Sequence, residues 1–163
     1  QKYPVKVVNA FVTKENINNV LKENNMKGEI DLLSIDIDGN DYWIWKEINE
    51  VKPRVVVVEY NDILGKEPIT VKYDANFERL RKHSSGFYYG ASLSALANLA
   101  KSKGYILIGC NSFSFNAFFI KKNEAKKYFY HLSPEEADTL FLGEQELKKR
   151  FEKIKHLEFE KVV

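Results

Sequence analysis

The chain alternates short apolar runs with polar, helix-compatible stretches. "YPVKVVNAFVT" carries a β-branched run from Val5 to Val8, and "KENINNVLKENN" then sets Ile17, Val20 and Leu21 at helical spacing, with Thr13 as N-cap. This predicts a strand and then a helix ending before Gly28. "EIDLLSIDI" is almost continuously apolar, as expected of a central parallel strand covered on both faces. Asn40 or Asp41 is expected to cap a helix that stops before Pro53, and "RVVVVEY" from Arg54 to Tyr60 predicts a second fully buried strand.

Strand, helix, strand, helix, strand at such short intervals is the pattern of a parallel α/β sheet with right-handed crossovers. The segment from Asn61 to about Tyr89 is polar and contains proline. It is long for an unstructured connection, so it is expected either to close over a ligand or to hide short elements. Ser92 opens a helix with Leu93, Leu96, Leu99 and Ala100 on one face and Gly104 at its end. "YILIGC" and "NAFFIKK" are separated only by Asn111 to Phe115, too little for a helical crossover. They must pair as an antiparallel hairpin at one side of a mixed sheet. Beyond Lys122 the chain turns helical and charged: Ser133, Pro134 and Glu136 form a capping box, and Leu147, Phe151 and Ile154 make a stripe within Glu144 to His156. The expected organisation is an α/β part over residues 1–122 and a helical extension over 123–163 packed on the same domain.

Composition narrows the partners more than the fold. The 163 residues suffice for one domain with a real core, and 44% apolar against 29% charged residues is ordinary for a globular chain. No apolar run approaches the roughly 20 residues that a membrane helix needs. A net charge of +2 gives no reason to expect nucleic acid or an anionic membrane as partner and is otherwise uninformative about partners. The single cysteine, Cys110, excludes an internal disulfide and thiolate clusters and fits a reducing cytoplasm. Gln1 follows no methionine and no basic-plus-apolar leader, and reads as a processing boundary with chain expected upstream.

The chemistry-bearing stretch is "DLLSIDIDGNDYWIWKEI", where Asp36, Asp38, Asn40 and Asp41 follow an apolar run. Carboxylates at such a place are costly to desolvate and are normally solvated, paired or ligand-bound. On a strand, Asp36 and Asp38 would project from one face roughly 7 Å apart, at a rise of about 3.3 Å per residue. The next buried run ends in Glu59, Asn61 and Asp62. If the two strands are neighbours, these side chains converge on the crevice beyond the carboxyl ends of the sheet, where α/β folds bind ligands. Asp36, Asp38 and Glu59 could there hold Mg²⁺, a hard cation that takes oxygen ligands. For Asn40 and Asp41 a capping role outweighs a ligand role. An EF-hand reading fails, because Asp41 stands where the turn glycine belongs and the entry is a strand. "DID" also matches the short acidic motif by which many glycosyltransferases hold a metal and a nucleotide-sugar.

The histidines show no metal-ligand spacing, and only His83, in "RKHSSGFYYG", is placed to reach the crevice as a base. No serine has a GxSxG context, no phosphate loop is present, and Cys110 reads as a small buried hydrophobe. Trp45 is expected to pack a helix on the sheet, whereas Tyr88 and Tyr89, between Gly86 and Gly90, are placed either to line a pocket or to pack.

With "LLSIDIDGND" followed by "RVVVVEYN", the chain resembles the FkbM-type branch of S-adenosylmethionine-dependent methyltransferases. Asp36, Ile37, Asp38 and Gly39 stand where that family shows a D-V-E-G-like turn. "VVNAFVT" is similar to its third strand, which leads to the adenine edge, and "YILIGCNSFSFNAFFI" to its sixth and seventh strands. The resemblance spans about residues 3–122 and implies a Rossmann-like methyltransferase sheet, mostly parallel with a C-terminal antiparallel hairpin. The glycine-rich first strand and the acidic end of the second are absent from these residues, and Ser34 stands where the family often has lysine. The resemblance implies O-methylation of a small or sugar-like acceptor. Asp36, Asp38 and Glu59 would be catalytic, with Asn9, Ala10 and Asp36 at the cofactor. Asn61, His83, Tyr89, Asn111 and Asn116 would be at the acceptor, and Mg²⁺ could assist. A metal-dependent glycosyltransferase and a non-catalytic α/β binding module are the alternative expectations.

Overall fold

A computed structural model describes residues 4–125 and 128–163. Four strands form one mixed sheet in the order β1-β2-β5-β4: β1 (Gly28–Ile35), β2 (Val51–Glu59), β4 (Tyr105–Cys110) and β5 (Asn116–Lys121). β1 and β2 pair in parallel, with Ile35 beside Val58. β5 runs against both β2 and β4, so β1, β2 and β4 point one way and β5 is the single reversed strand. The predicted hairpin is thus present, with its second arm inserted next to β2.

Two expectations for the first third of the chain need correction. Val5 to Val8 form no strand: Val5, Val7 and Val8 lie exposed in a segment without regular structure, because a β-branched run becomes a strand only where a neighbour completes its ladder. β1 is an edge strand rather than a central one, and Leu32 is 57% exposed. Helix α1 (Ile17–Glu23) begins at Asn16 instead of Thr13; the Asn16 side chain accepts from the Thr13 amide at 2.8 Å.

The main core lies on one face of the sheet. Val56, Val58, Phe119 and Leu107 meet Trp43, Ile44 and Trp45 of α2 (Asp41–Glu47) and Leu96 of α4 (Leu93–Ser102). Trp45 packs against Phe119 and Tyr105, the packing role expected of it. Ser92 caps α4, its hydroxyl accepting from the Ala95 amide at 3.1 Å, and Leu93, Leu96, Leu99 and Ala100 are all buried.

The 61–89 segment hides short elements. A 3₁₀ turn at Asp62–Leu64 and β3 (Ile69–Val71) join Phe77, Tyr88 and Tyr89 in a second core that includes Ile63 and Val71, while α3 (Arg79–Lys82) buries none of its residues. The C-terminal part closes that core. After α5 (Lys122–Ala125) and α6 (Pro134–Ala137), α7 (Glu144–Glu152) contributes Leu147, and Ile154 follows it, while β6 (Phe159–Lys161) pairs antiparallel with β3. The capping box at α6 is present in both directions, Glu136 N to Ser133 Oγ at 3.2 Å and Ser133 N to Glu136 Oε2 at 2.8 Å. β6 is not expected from the sequence: its alternation, Leu157-Glu158-Phe159-Glu160, covers only four residues at the end of a helical, charged stretch. Among the described residues no helix is long and apolar enough to cross a membrane.

Candidate functional site: an acidic crevice closed by Arg79

The crevice forms where β1 and β2 end side by side. β1 stops at Ile35, so Asp36 and Asp38 lie on the following turn instead of on the strand, and their expected same-face projection does not occur. Asp38 takes a left-handed backbone, φ 58°, a conformation that aspartate tolerates better than most residues. Asp41, the first residue of α2, folds its carboxylate back onto this turn and accepts from the Ile37 amide at 2.9 Å and the Gly39 amide at 3.0 Å. Asp41 is thus the turn's own anchor, and the side-chain cap on α2 expected of Asn40 or Asp41 is not made. Asn40 makes no capping bond; its amide group donates to the Asp74 carbonyl at 2.8 Å. Burial holds the Asp41 carboxyl up at about 6 against the two amide bonds, which pull it down.

Glu59 ends β2 and is buried. Its Oε2 has no hydrogen-bond partner, a condition shared among the described residues by only two other buried side-chain atoms, Asn40 Oδ1 and Asp62 Oδ2. Burial, reinforced by repulsion from Asp41, Asp36 and Asp38, pushes the Glu59 carboxyl up to about 8; Arg79 pulls the other way. A carboxyl group so displaced is nearly half-protonated at mildly alkaline pH, the range in which proton transfer to or from a ligand is easiest.

The cation of this crevice belongs to the chain. Arg79, the first residue of α3, places Nη1 2.8 Å from Asp38 Oδ1 and 4.0 Å from Glu59 Oε1. Its Nε donates to the Gly86 carbonyl at 2.7 Å, and its guanidinium lies 3.6 Å above the ring of Tyr89. Three fixed contacts thus orient one fork of donors over the acids. Tyr89 is buried under it, and burial followed by the nearby Glu59 charge raises its phenol above the ordinary value. Beside Arg79 runs a groove of about 620 Å³ lined by Ile37, Asp38, Phe77, Leu80, Ser85 and Phe87 among others.

The remaining expected residues divide. Asn116 is placed at the crevice, since it pairs directly with Glu59 across β5 and β2. Asn61 is not available to a ligand: its amide donates to the Phe87 and Tyr89 carbonyls at 2.9 and 3.0 Å and its oxygen accepts from the Ile63 amide, tying the 61–89 segment together. Asn111 builds the hairpin turn, its oxygen accepting from the amides of Phe115 and Asn116. His83 is bound to Ser85 Oγ at 2.7 Å and stands edge-on to His156, and it does not line the groove. Asn9 and Ala10 are exposed ahead of α1, outside any strand. Asp62 turns to other company, with burial and Asp138 raising its carboxyl to about 6.

Among the described residues no three His, Cys, Asp or Glu side chains are placed to hold a metal ion. Asp36, Asp38 and Glu59 therefore do not make the ligand set expected of them, and Asp38, the second acid of "DID", is already bound by a guanidinium. Arg79 is the crevice residue that sequence reasoning did not name. It lies in a stretch without periodicity, and the available signal was only that a base stood in the segment expected to close over the acids. No family model, no curated protein and no solved structure matches this chain.

Proposed function

We propose that the crevice binds the hydroxyl of a small or sugar-like acceptor, and that the chain is part of a methyltransferase-like domain of the Rossmann type acting on oxygen in the cytoplasm. The observation that carries this reading is Glu59: a buried carboxyl with an unpartnered oxygen at the carboxyl end of a sheet strand, with its proton affinity raised to about 8. The order β1-β2-β5-β4, with one reversed strand next to β2, supports the Rossmann-like part of the reading.

S-adenosylmethionine would supply an electrophilic methyl group on a sulfonium. Asp36, exposed beyond the open edge strand β1, and Asn9 and Ala10, exposed ahead of α1, are the residues of this chain left accessible to hold it. The gain from the protein in such a displacement is alignment and proton handling. Glu59 accepts the acceptor's proton, Asn116 beside it and Arg79 above it orient the acceptor oxygen, and Tyr89 keeps water from beneath. Mg²⁺ would have to be held by fewer than three carboxylates, since no group of three is placed for it among the described residues and Arg79 already neutralises Asp38.

The test is methyl transfer from labelled S-adenosylmethionine to small polyols and sugars, with calorimetry of S-adenosylhomocysteine, on this chain and on any longer natural polypeptide that contains it. Transfer whose rate rises with pH to a plateau above about 8, and falls on the order of a hundredfold in Glu59→Gln, is the expected result. Binding of a nucleotide-sugar with Mg²⁺ in place of S-adenosylhomocysteine would indicate glycosyl transfer instead. A second reading, the non-catalytic module, draws on the structural employment of Asp41, Asn61 and Asp38, and binding of neither donor would establish it.

A further inference from the structure

Bordering the crevice next to Asn116, the tip of the β4–β5 hairpin and the loop after α6 form an apolar surface. Phe113 is 54% exposed, Phe115 46%, Leu140 42% and Phe141 52%. Phe113 and Phe141 meet edge to face at 5.2 Å, so side chains distant in sequence make one patch. The two loops are bolted together: Ser114 Oγ lies 2.6 Å from Thr139 Oγ1 and accepts from the Phe141 amide at 3.3 Å, and Thr139 Oγ1 reaches the Asn111 carbonyl at 3.3 Å. Ser114 and Leu140 both hold left-handed backbones, φ 57° and 46°. For a leucine that conformation is strained. A fixed, strained pair of loops that keeps three phenylalanines in water is the profile of a contact surface.

Charge states what kind of contact. From Leu132 to Leu147 the chain holds five acids, Glu135, Glu136, Asp138, Glu144 and Glu146, and no Lys, Arg or His. Next to the patch, a depression of about 700 Å³ is lined by Leu142, Glu144, Gln145, Glu146 and Lys149, with Glu146 already paired to Arg150 at 2.8 Å. An anionic membrane or nucleic acid would be repelled here, whereas a chain segment with apolar side chains spaced between bases would place both in complementary surroundings.

We propose that this surface, Phe113 and Phe115 of the hairpin tip together with Leu140 and Phe141 of the acidic 132–147 stretch, docks a basic amphipathic peptide segment of a partner protein. The proposal does not depend on the reaction assigned to the crevice. Fluorescence anisotropy with a short labelled Lys/Leu amphipathic peptide tests it, against the same peptide with Glu for every Lys. The Lys/Leu probe is expected to bind, more weakly as salt rises, and to lose about tenfold or more in affinity with Phe113→Ser/Phe141→Ser and with Glu135→Lys/Glu144→Lys. The side chains replaced are exposed, and unchanged thermal unfolding of the variants checks that the fold survives. Equal binding of the Glu/Leu probe, unaltered binding by either variant, or no binding by the natural chain overturns the proposal. So does a concentration-dependent dimer abolished by Phe113→Ser/Phe141→Ser without peptide binding, which would assign the patch to a second copy, or uptake by zwitterionic vesicles, which would assign it to a lipid surface.

Discussion

Glu59 sits where ionisation is opposed from several sides: its own burial, then Asp41, Asp36 and Asp38, with Arg79 the single relief. The carboxyl titrates near 4.5 in the unfolded chain and at about 8 in the folded one. Between those values the folded state keeps a proton that the unfolded state has released. Stability is therefore fully present below about 4.5, falls as pH rises, and has lost Glu59's whole share above about 8, on the order of 1.4 kcal/mol for each pKa unit of separation. Asp41 and Asp62, raised from 3.8 to about 6, add losses of the same sign at lower pH. Glu59→Gln removes only the Glu59 share. Thermal unfolding of both proteins from about pH 5 to about pH 9 is expected to show the variant gaining on the natural chain as pH rises. A gap that stays constant would mean that Glu59 is not held protonated.

At the scale of the element, the turn from Asp36 to Asn40 decides where the acids point. It is locked by the Asp41 carboxylate, by the bond from the Gly90 amide to the Gly39 carbonyl at 3.0 Å, and by contact of Gly39 with Phe77. A Cβ on Gly39 would stand 2.2 Å from Phe77 Cδ1, inside any van der Waals separation, so the glycine is required by close approach instead of by its dihedral angles. Gly39→Ala is expected to cost about 1–3 kcal/mol in urea unfolding, and Phe77→Leu in the same chain to return part of it. Additive effects of the two substitutions would show that the turn does not rest on the ring.

For the whole molecule, the second core is held from both sides of the sequence. Ile63, Val71, Tyr88 and Tyr89 come from the middle of the chain, Leu147 and Ile154 from its end, and β3 pairs with β6 on one side and through the Thr70–Ala91 bridge with the chain before α4 on the other. Arg79 and Tyr89, the closing pair of the crevice, stand on this layer. Removing residues 143–163 would expose the layer's apolar side. The shortened chain is expected to be cleaved within 61–89 by limited proteolysis and to bind a hydrophobic dye, while the full chain resists both. Equal resistance would mean that the 61–89 segment is held by Asn61 and the sheet alone.

Local rules settled what depends on near neighbours. Ser92 and Ser133 cap their helices, Leu93 to Ala100 bury one face, and the two last strands of the main sheet form a hairpin, each legible because spacing and capping act within a few residues; "RVVVVEY" does run along a strand, but with Arg54 exposed and Val55 and Val57 half-buried it is not the fully buried one expected. The adjacency of β1 and β2, and with it the nearness of Asp36 to Glu59, also followed from a short crossover. Tertiary structure decided the rest. Whether Val5 to Val8 became a strand and whether β1 lay inside the sheet depended on partners that a residue's own composition does not encode. The oxygens counted as ligands were also divided by packing: Asn61 and Asn111 went to backbone amides and carbonyls, and Asp38 to a guanidinium 41 residues further along the chain, because most polar atoms take partners that only the completed fold brings near, while Glu59 Oε2 is left with none.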